Sequence, residues 1–458
     1  MKYTAYPNYK PSGVEWLRDV PAHWTPQKVK FCFSIQLGKM LQPEALNEHD
    51  FEVNYLKVQH VQWNDIRVDD LPTMWVSKSD LEKYSIADGD LLVCEGGDVG
   101  RAAIVRQVAG GTIIQNALHR VRSKYENDLG FLKYVLAHAA SQGWFEILCN
   151  RATIAHFTGE KFGALGVALP PPSEQYAIAS FLDAQTAKLD ILVARKQELI
   201  EKLKEKRGAL ISQTVTRGLP PEAARAAGLN PRPTLKPSGI EWLGDIPVSW
   251  GTPPLYTRYH MELGKMLDES RISGTHLVPY LRNIDVQWDS INTLDLPEMD
   301  IRKEEYSRYT LKPGDLLVCE GGEVGRAAIF QSSSPVIGFQ KALHRLRPIN
   351  PAEWPRFMFY VFYWASHLGF FLAEGNPNTI AHLTGENLRR YRFPKPPFLE
   401  QRAIADYLDR ETAKIDRMIE KVEAAIEKLH EYRTALITAA VTGKIDVRKV
   451  ASASSALT

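Results

Sequence analysis

Cysteine is scarce. Four residues in 458, Cys32, Cys94, Cys149 and Cys319, are widely separated. With no CxxC spacing and no Cys/His cluster, they exclude a disulfide framework and a finger-type zinc site. The expectation is reduced, buried thiols in a cytoplasmic protein, since Cys94 and Cys319 both end the apolar run LLVC. No apolar run approaches the roughly 20 residues that span a bilayer. The opening MKYTAYPNYKPSG has no apolar core, so a secretory signal is not expected. An excess of one charge is missing too. Lys and Arg number 56 against 54 Asp and Glu, for a formal net charge of +2. No whole-molecule basic field exists, and a nucleic-acid partner would need positive charge gathered locally.

Catalytic motifs are also lacking. LGKM at 37–40 has no upstream glycine at Walker spacing and no following Ser or Thr. EGGDVG at 95–100 lacks GxGxxG spacing, and neither HExxH nor GxSxG occurs. KPPF at 395–398 resembles the Asn/Asp-Pro-Pro-Tyr/Phe motif of amino-methyltransferases, but lysine cannot accept amino hydrogens. The recurring histidines, His119 with His344 and His156 with His382, bring no repeated nucleophile–carboxylate set. The chain is expected to be no enzyme on its own, and no metal site is expected.

What is present is a duplication. DLLVCEGGDVGRAAI at 90–104 returns at 315–329 as DLLVCEGGEVGRAAI, with only Asp98 changed, to Glu323. PSGVEWLRDVPAHW at 11–24 matches PSGIEWLGDIPVSW at 237–250, and YLKVQHVQW at 55–63 matches YLRNIDVQW at 280–288. ALHRVR at 117–122 and TIAHFTGE at 153–160 return at 342–347 and 379–386. The offset stays at 225 or 226, so few insertions separate the copies.

Each copy has two parts. The first carries short apolar runs such as DLLVC, RAAIV and GTIIQ, bounded by turn residues, which predict strands of a mixed, mostly β domain. One helical interruption is predicted near 132–145 and again near 357–371. The second part is a long helix after a proline cluster, with apolar rows advancing by seven. In copy one the rows are Leu182, Leu189, Lys196, Leu203, Leu210 and Ile178, Gln185, Leu192, Leu199, Lys206. In copy two they are Leu408, Ile415, Val422, Leu429, Leu436 and Ile404, Glu411, Met418, Ala425, Tyr432. About 44 residues make a rod of roughly 66 Å. A helix with such a seam needs a partner, and the other copy's helix is at hand. Pairing about a two-fold axis makes the helices antiparallel and brings the N-terminus near the end of the second. The expected fold class is α+β: two mixed, mostly β recognition domains with pseudo-two-fold symmetry, separated by two long antiparallel coiled-coil helices. The expected domains are 1–172, 237–398, helices 173–218 and 399–446, a linker 219–236 and a flexible tail 447–458.

A two-headed binding protein remains. Basic and amide side chains read base edges and hold phosphates. In copy one the candidates are Lys39, Lys57, Gln59, His60, Arg101, Gln115, Asn116, His119 and Arg120. In copy two they are Lys265, Arg282, Asn283, Arg326, Gln340, Lys341, His344 and Arg345. Any one of them read alone is as well explained as solvated surface, and those shared by both copies as scaffold. Gln59 and His60 set against Asn283 and Ile284, and Asn116 against Lys341, are expected to distinguish bases.

SGIEWLGDIPVSW at 238–250, PPFLEQRAIADYLD at 396–409 and ITAAVTGKIDVR at 437–448 make the chain closely resemble the specificity subunit of type I restriction–modification systems. Copy one departs from the pattern, with VTRGL and LPPPSEQY where copy two has VTGKI and KPPFLEQR. The resemblance implies two target recognition domains reading a bipartite double-stranded DNA sequence, with the helices as a ruler. It implies two modification subunits carrying S-adenosylmethionine and methylating adenine, and restriction subunits using ATP and Mg. No cofactor is expected in this chain. Because the two domains are unusually alike, related half-sites are expected. The competing reading is a non-catalytic coiled-coil scaffold presenting two protein-binding β domains, which salt-dependent DNA binding separates from the first.

Overall fold

The computed structural model describes residues 3–149, 156–267, 274–332, 335–373 and 383–448. The chain forms two compact units, Met1–Lys196 with Glu423–Thr458, and Gln197–Val422. Each unit therefore draws on both copies.

In the first unit, LLVC becomes a fully buried strand, Leu91–Cys94, as a short apolar run between turns predicts. It lies in an antiparallel sheet ordered Ala102–Ile104, Leu91–Cys94, Leu118–Ser123, Phe33–Leu37. A second sheet places Phe51–Leu56 between Ile113–Ile114, parallel to it, and Thr73–Val76, antiparallel. The second unit repeats both sheets with Tyr259–Leu263, Leu343–Pro348, Leu316–Cys319 and Ala327–Ile329, then Glu298–Asp300, Leu277–Leu281 and Gly338–Phe339. The predicted helical interruptions are Leu129–Ser141 and Pro355–His367. Each is followed by a left-handed glycine, Gly143 or Gly369, and a short helix. Asp128 caps the first by accepting from Phe131 N, whereas the second begins with proline at its first position. All four cysteines are free and buried.

The long helices are Pro172–Arg217 and Phe398–Val441. One predicted row holds: Leu182, Leu189, Leu203, Leu408, Ile415 and Leu436 face inward. The other holds at its first members, Ile178 and Ile404, which are buried, and is off by one residue beyond them. Leu192, Leu199, Met418 and Tyr432 are exposed, and the inner row is Thr186, Val193, Ile200, Arg207 with Thr412, Ile419, Ile426, Arg433. Arg433 and Arg207 sit in that row to pair across the seam. In the first unit Arg433 meets Asp190 at 2.7 Å, and Ile178 and Leu182 share a core with Ile437 and Val441. In the second, Arg207 meets Asp416 at 3.0 Å, and Ile211 and Val215 share a core with Ile404 and Leu408. Within each unit the helix segments therefore run antiparallel. Asp190 and Asp416 are duplicate positions, as are Arg207 and Arg433, so one pair is made twice with the copies exchanged.

The N-terminus does adjoin the end of the second helix. Asp446 N donates to Thr4 O, and Tyr9 OH donates to Gly443 O. Of the tail expected from 447, Val447 is buried and Arg448 pairs with Asp446 at 2.7 Å; residues 449–458 lie outside the described residues. The 219–236 linker contains a helix, Pro221–Ala226, whose Ala224 is buried in the second unit's core. Among the described residues no helix is long and apolar enough to cross a membrane, and no cluster of His, Cys, Asp and Glu could hold a metal ion.

Candidate nucleic-acid interface

One rim is built in both units from three loops. LGKM leaves the Phe33–Leu37 strand and locks onto the 114–116 segment: Lys39 N donates to Ile114 O, and Asn116 N to Lys39 O. A Cβ on Gly38 would fall 2.3 Å from Gln115 O, and one on Gly264 would fall 2.2 Å from Gln340 O. Only glycine permits this approach. The Val58–His60 turn adjoins through Gln115 N, which donates to Leu56 O. The EGG turn completes the rim. Gly97 and Gly100 have positive φ, and a Cβ on Gly100 would strike Phe145 at 2.2 Å. Glu95 O accepts from Phe157 N, tying this turn to the repeated TIAH segment. Residues 153–155 and 379–382 of that segment, including His382, lie outside the described residues.

Lys39, Lys57, Gln59, Gln115 and Asn116 thus come together, as do Lys265, Arg282, Asn283, Gln340 and Lys341. Several cations are already engaged. Lys39 pairs with Asp80 at 2.9 Å, Lys265 with Glu305 at 2.6 Å, and Arg282 with Asp285 at 2.9 Å. These partners hold the Asp80, Glu305 and Asp285 carboxyls below the usual range against the opposing effect of burial. Arg101 donates to Val58 O and Arg326 to Asn283 O and Oδ1, so both brace the EGG turn against the neighbouring turn. Gln59 and Lys341 are exposed.

Five candidates belong to the framework instead. His119 and His344 are buried and donate through Nε2 to Phe157 O and Leu383 O at 2.8 and 2.7 Å. Burial pushes both imidazoles below their ordinary pKa. Arg345 is buried and spent on the carbonyls of Ser307, Arg308 and Thr310. His60 is buried and accepts from Lys57 N, closing its turn. Arg120, half-buried, donates to Ser85 O. The two turns also correct a pairing. Val58–His60 superposes in sequence on Asn283–Asp285, so His60 answers Asp285, which accepts from Arg282 N in the same way. The differing positions are Val58 with Asn283 and Gln59 with Ile284.

Two rim residues carry no polar group and escape a search for base readers. Met40 is 74% exposed and Met266 63%. The available signal is LGKML itself, repeated with an apolar residue where no periodicity buries one. Apolar groups of this kind contact thymine methyls.

Residues 73–202 and 283–428, together more than half of the chain, match the family described as Type I restriction modification DNA specificity domain. The specificity subunit of the type I restriction enzyme EcoBI of Escherichia coli is 28% identical over 137 residues, 30% of this chain and 28% of that protein's length. The HsdS subunit of Thermoanaerobacter tengcongensis shares the fold with a TM-score of 0.54 at 15% identity, over 93% of this chain and 98% of that one. A chain solved in work on complex assembly and conformational transition of the type I R-M system does so with a TM-score of 0.70 at 14% identity, over 93% and 99%. With two rims on one duplicated scaffold and a family match across both, this chain belongs to the type I restriction–modification DNA specificity family.

Proposed function

We propose that the chain reads a bipartite DNA target, one half per recognition domain, and carries two adenine-methyltransferase subunits and the restriction subunits that join them. In this reading the chain supplies recognition inside the cell. S-adenosylmethionine belongs to the modification subunits, and ATP and Mg to the restriction subunits. The observation that carries it is the rim built twice, with Lys39/Lys265, Met40/Met266 and Gln115/Gln340 kept and Val58/Asn283, Gln59/Ile284 and Asn116/Lys341 changed. The retained set supports half-sites that are related, close to inverted repeats, and the changed set supports a difference confined to part of each.

Methylome sequencing of cells carrying this chain with a modification subunit tests the reading. Methylated adenines flanking two related half-sites at one fixed spacing are expected; unrelated half-sites overturn the relation. Binding of the assembled complex to its target should weaken steeply with salt. A complex that binds no DNA at low salt favours the protein-binding scaffold instead.

A further inference from the structure

The two units differ sharply at one place. In the second, Tyr363 and His367 of the Pro355–His367 helix stack with ring centroids 3.9 Å apart. Trp288 meets both edge-on or tilted, at 5.0 and 5.6 Å, and the Arg207 guanidinium lies 4.7 Å over Tyr363. Glu323 accepts from Trp288 Nε1 at 2.5 Å. Glu323 is the single change in the fifteen-residue repeat. Glu323 pairs with Arg326 at 3.5 Å as Asp98 does with Arg101 at 3.4 Å, and its extra methylene lets it reach the indole as well.

The first unit has the same walls without the filling. Trp63 answers Trp288, Arg433 answers Arg207, and Tyr134 answers Tyr360. Ala137 and Ser141 stand where Tyr363 and His367 stand. A cavity of about 210 Å³ remains, lined by Trp63, Asn64, Tyr134, Ala137, Ser141 and Arg433 among others. Asn64 and Ser141 are exposed, so it opens to solvent. A cavity of ~150 Å³ holds a benzene-sized ring, so this one admits one aromatic side chain. The guanidinium of Arg433, fixed by Asp190, offers a cationic face for that ring. Beside it, a groove of about 660 Å³ runs past Thr434, Thr438 and Lys444 and lengthens the contact.

We propose that this slot receives one aromatic side chain of the methyltransferase subunit, an inference that rests on the proposed function. The second unit supplies its own rings, so the two subunits dock inequivalently. The chemistry of the occupant is given by the second unit: a planar ring that meets a tryptophan edge to face and lies under an arginine.

The test measures binding of the methyltransferase subunit to the full chain, with affinities and stoichiometry read by native mass spectrometry and calorimetry. Wild type should bind two subunits with unequal affinities. Ala137→Tyr with Ser141→His fills the slot and should weaken the tighter site at least tenfold, while leaving the second site and the melting temperature unchanged. Tyr363→Ala with His367→Ser serves as the reciprocal variant and should bring the affinities closer. p-Cresol, as a free ring probe, should compete only with the tighter site and should quench or shift Trp63 fluorescence. Equal affinities in wild type, or normal assembly by the filled variant with its fold intact, overturns the slot as a docking site, even if p-cresol binds. Failure of wild type to bind any methyltransferase subunit overturns the proposed function and this inference with it.

Discussion

At the scale of residues, the duplication provides its own controls. Glu174 is buried and accepts from Tyr6 OH and Trp24 Nε1 at 2.7 and 2.9 Å, with His23 2.8 Å away. Its duplicate Glu400 accepts only from Trp250 among these positions, and burial raises its carboxyl pKa. Glu174→Gln should therefore cost about 1.5–3 kcal/mol, the range for hydrogen bonds to a charged group, while Glu400→Gln should cost little. Paired thermal melts of the two variants check this. The second unit also buries Arg258 against Glu353 at 2.8 Å, where the first has Cys32 and Asn127. Glu353→Ala leaves a buried guanidinium uncompensated and should cost about 3–5 kcal/mol. Arg258→Cys with Glu353→Asn should recover much of that loss in denaturant unfolding. His138 is lowered to about 4 by burial and by Lys444. Its unfolded value is about 6.5. Above that pH both states are neutral. Between about 6.5 and 4 only the unfolded chain takes the proton, so stability falls as pH falls through that window. His138→Gln should shrink the difference in melting temperature between pH 7 and pH 5; an unchanged difference contradicts the assignment.

At the scale of elements, the helix seam separates two adjacent apolar rows. Ile200 is 7% exposed and Leu199 44%. Ile200→Ala should cost about 2–4 kcal/mol and Leu199→Ala under about 1 kcal/mol by chemical denaturation. Periodicity alone could not choose between these rows. Both carry apolar residues, and the inner one is broken by Thr186 and Thr412, which meet Tyr134 and Tyr360, and by Arg207 and Arg433, whose partners lie on the other helix. The strands were easier to see, because LLVC and RAAI sit between glycines and repeat. The rim was partly legible. Its lysines, glutamines and Asn116 were found by residue type, but His119, His344 and Arg345 look the same in sequence. Only the carbonyls of Phe157, Leu383 and Thr310, all distant along the chain, reveal them as framework.

At the scale of the whole molecule, each unit takes segments from both copies, so chain continuity through the linker should be dispensable. Fragments 1–230 and 231–458, coexpressed, should co-elute, since the first unit's core joins Ile178 and Leu182 to Ile437 and Val441 and the second joins Ile211 to Ile404. Separate elution of the fragments contradicts this. The same interleaving governs the order of birth. The second unit is one continuous stretch, 197–422, and can close as soon as it leaves the ribosome. The first waits for Leu436, Ala440 and Val447 to cover Trp24 and its neighbours. At roughly 5–20 residues per second that delay is roughly 10–50 s. The half of the protein that is translated first is the half that matures last, and during that interval it is the part exposed to chaperones and proteases.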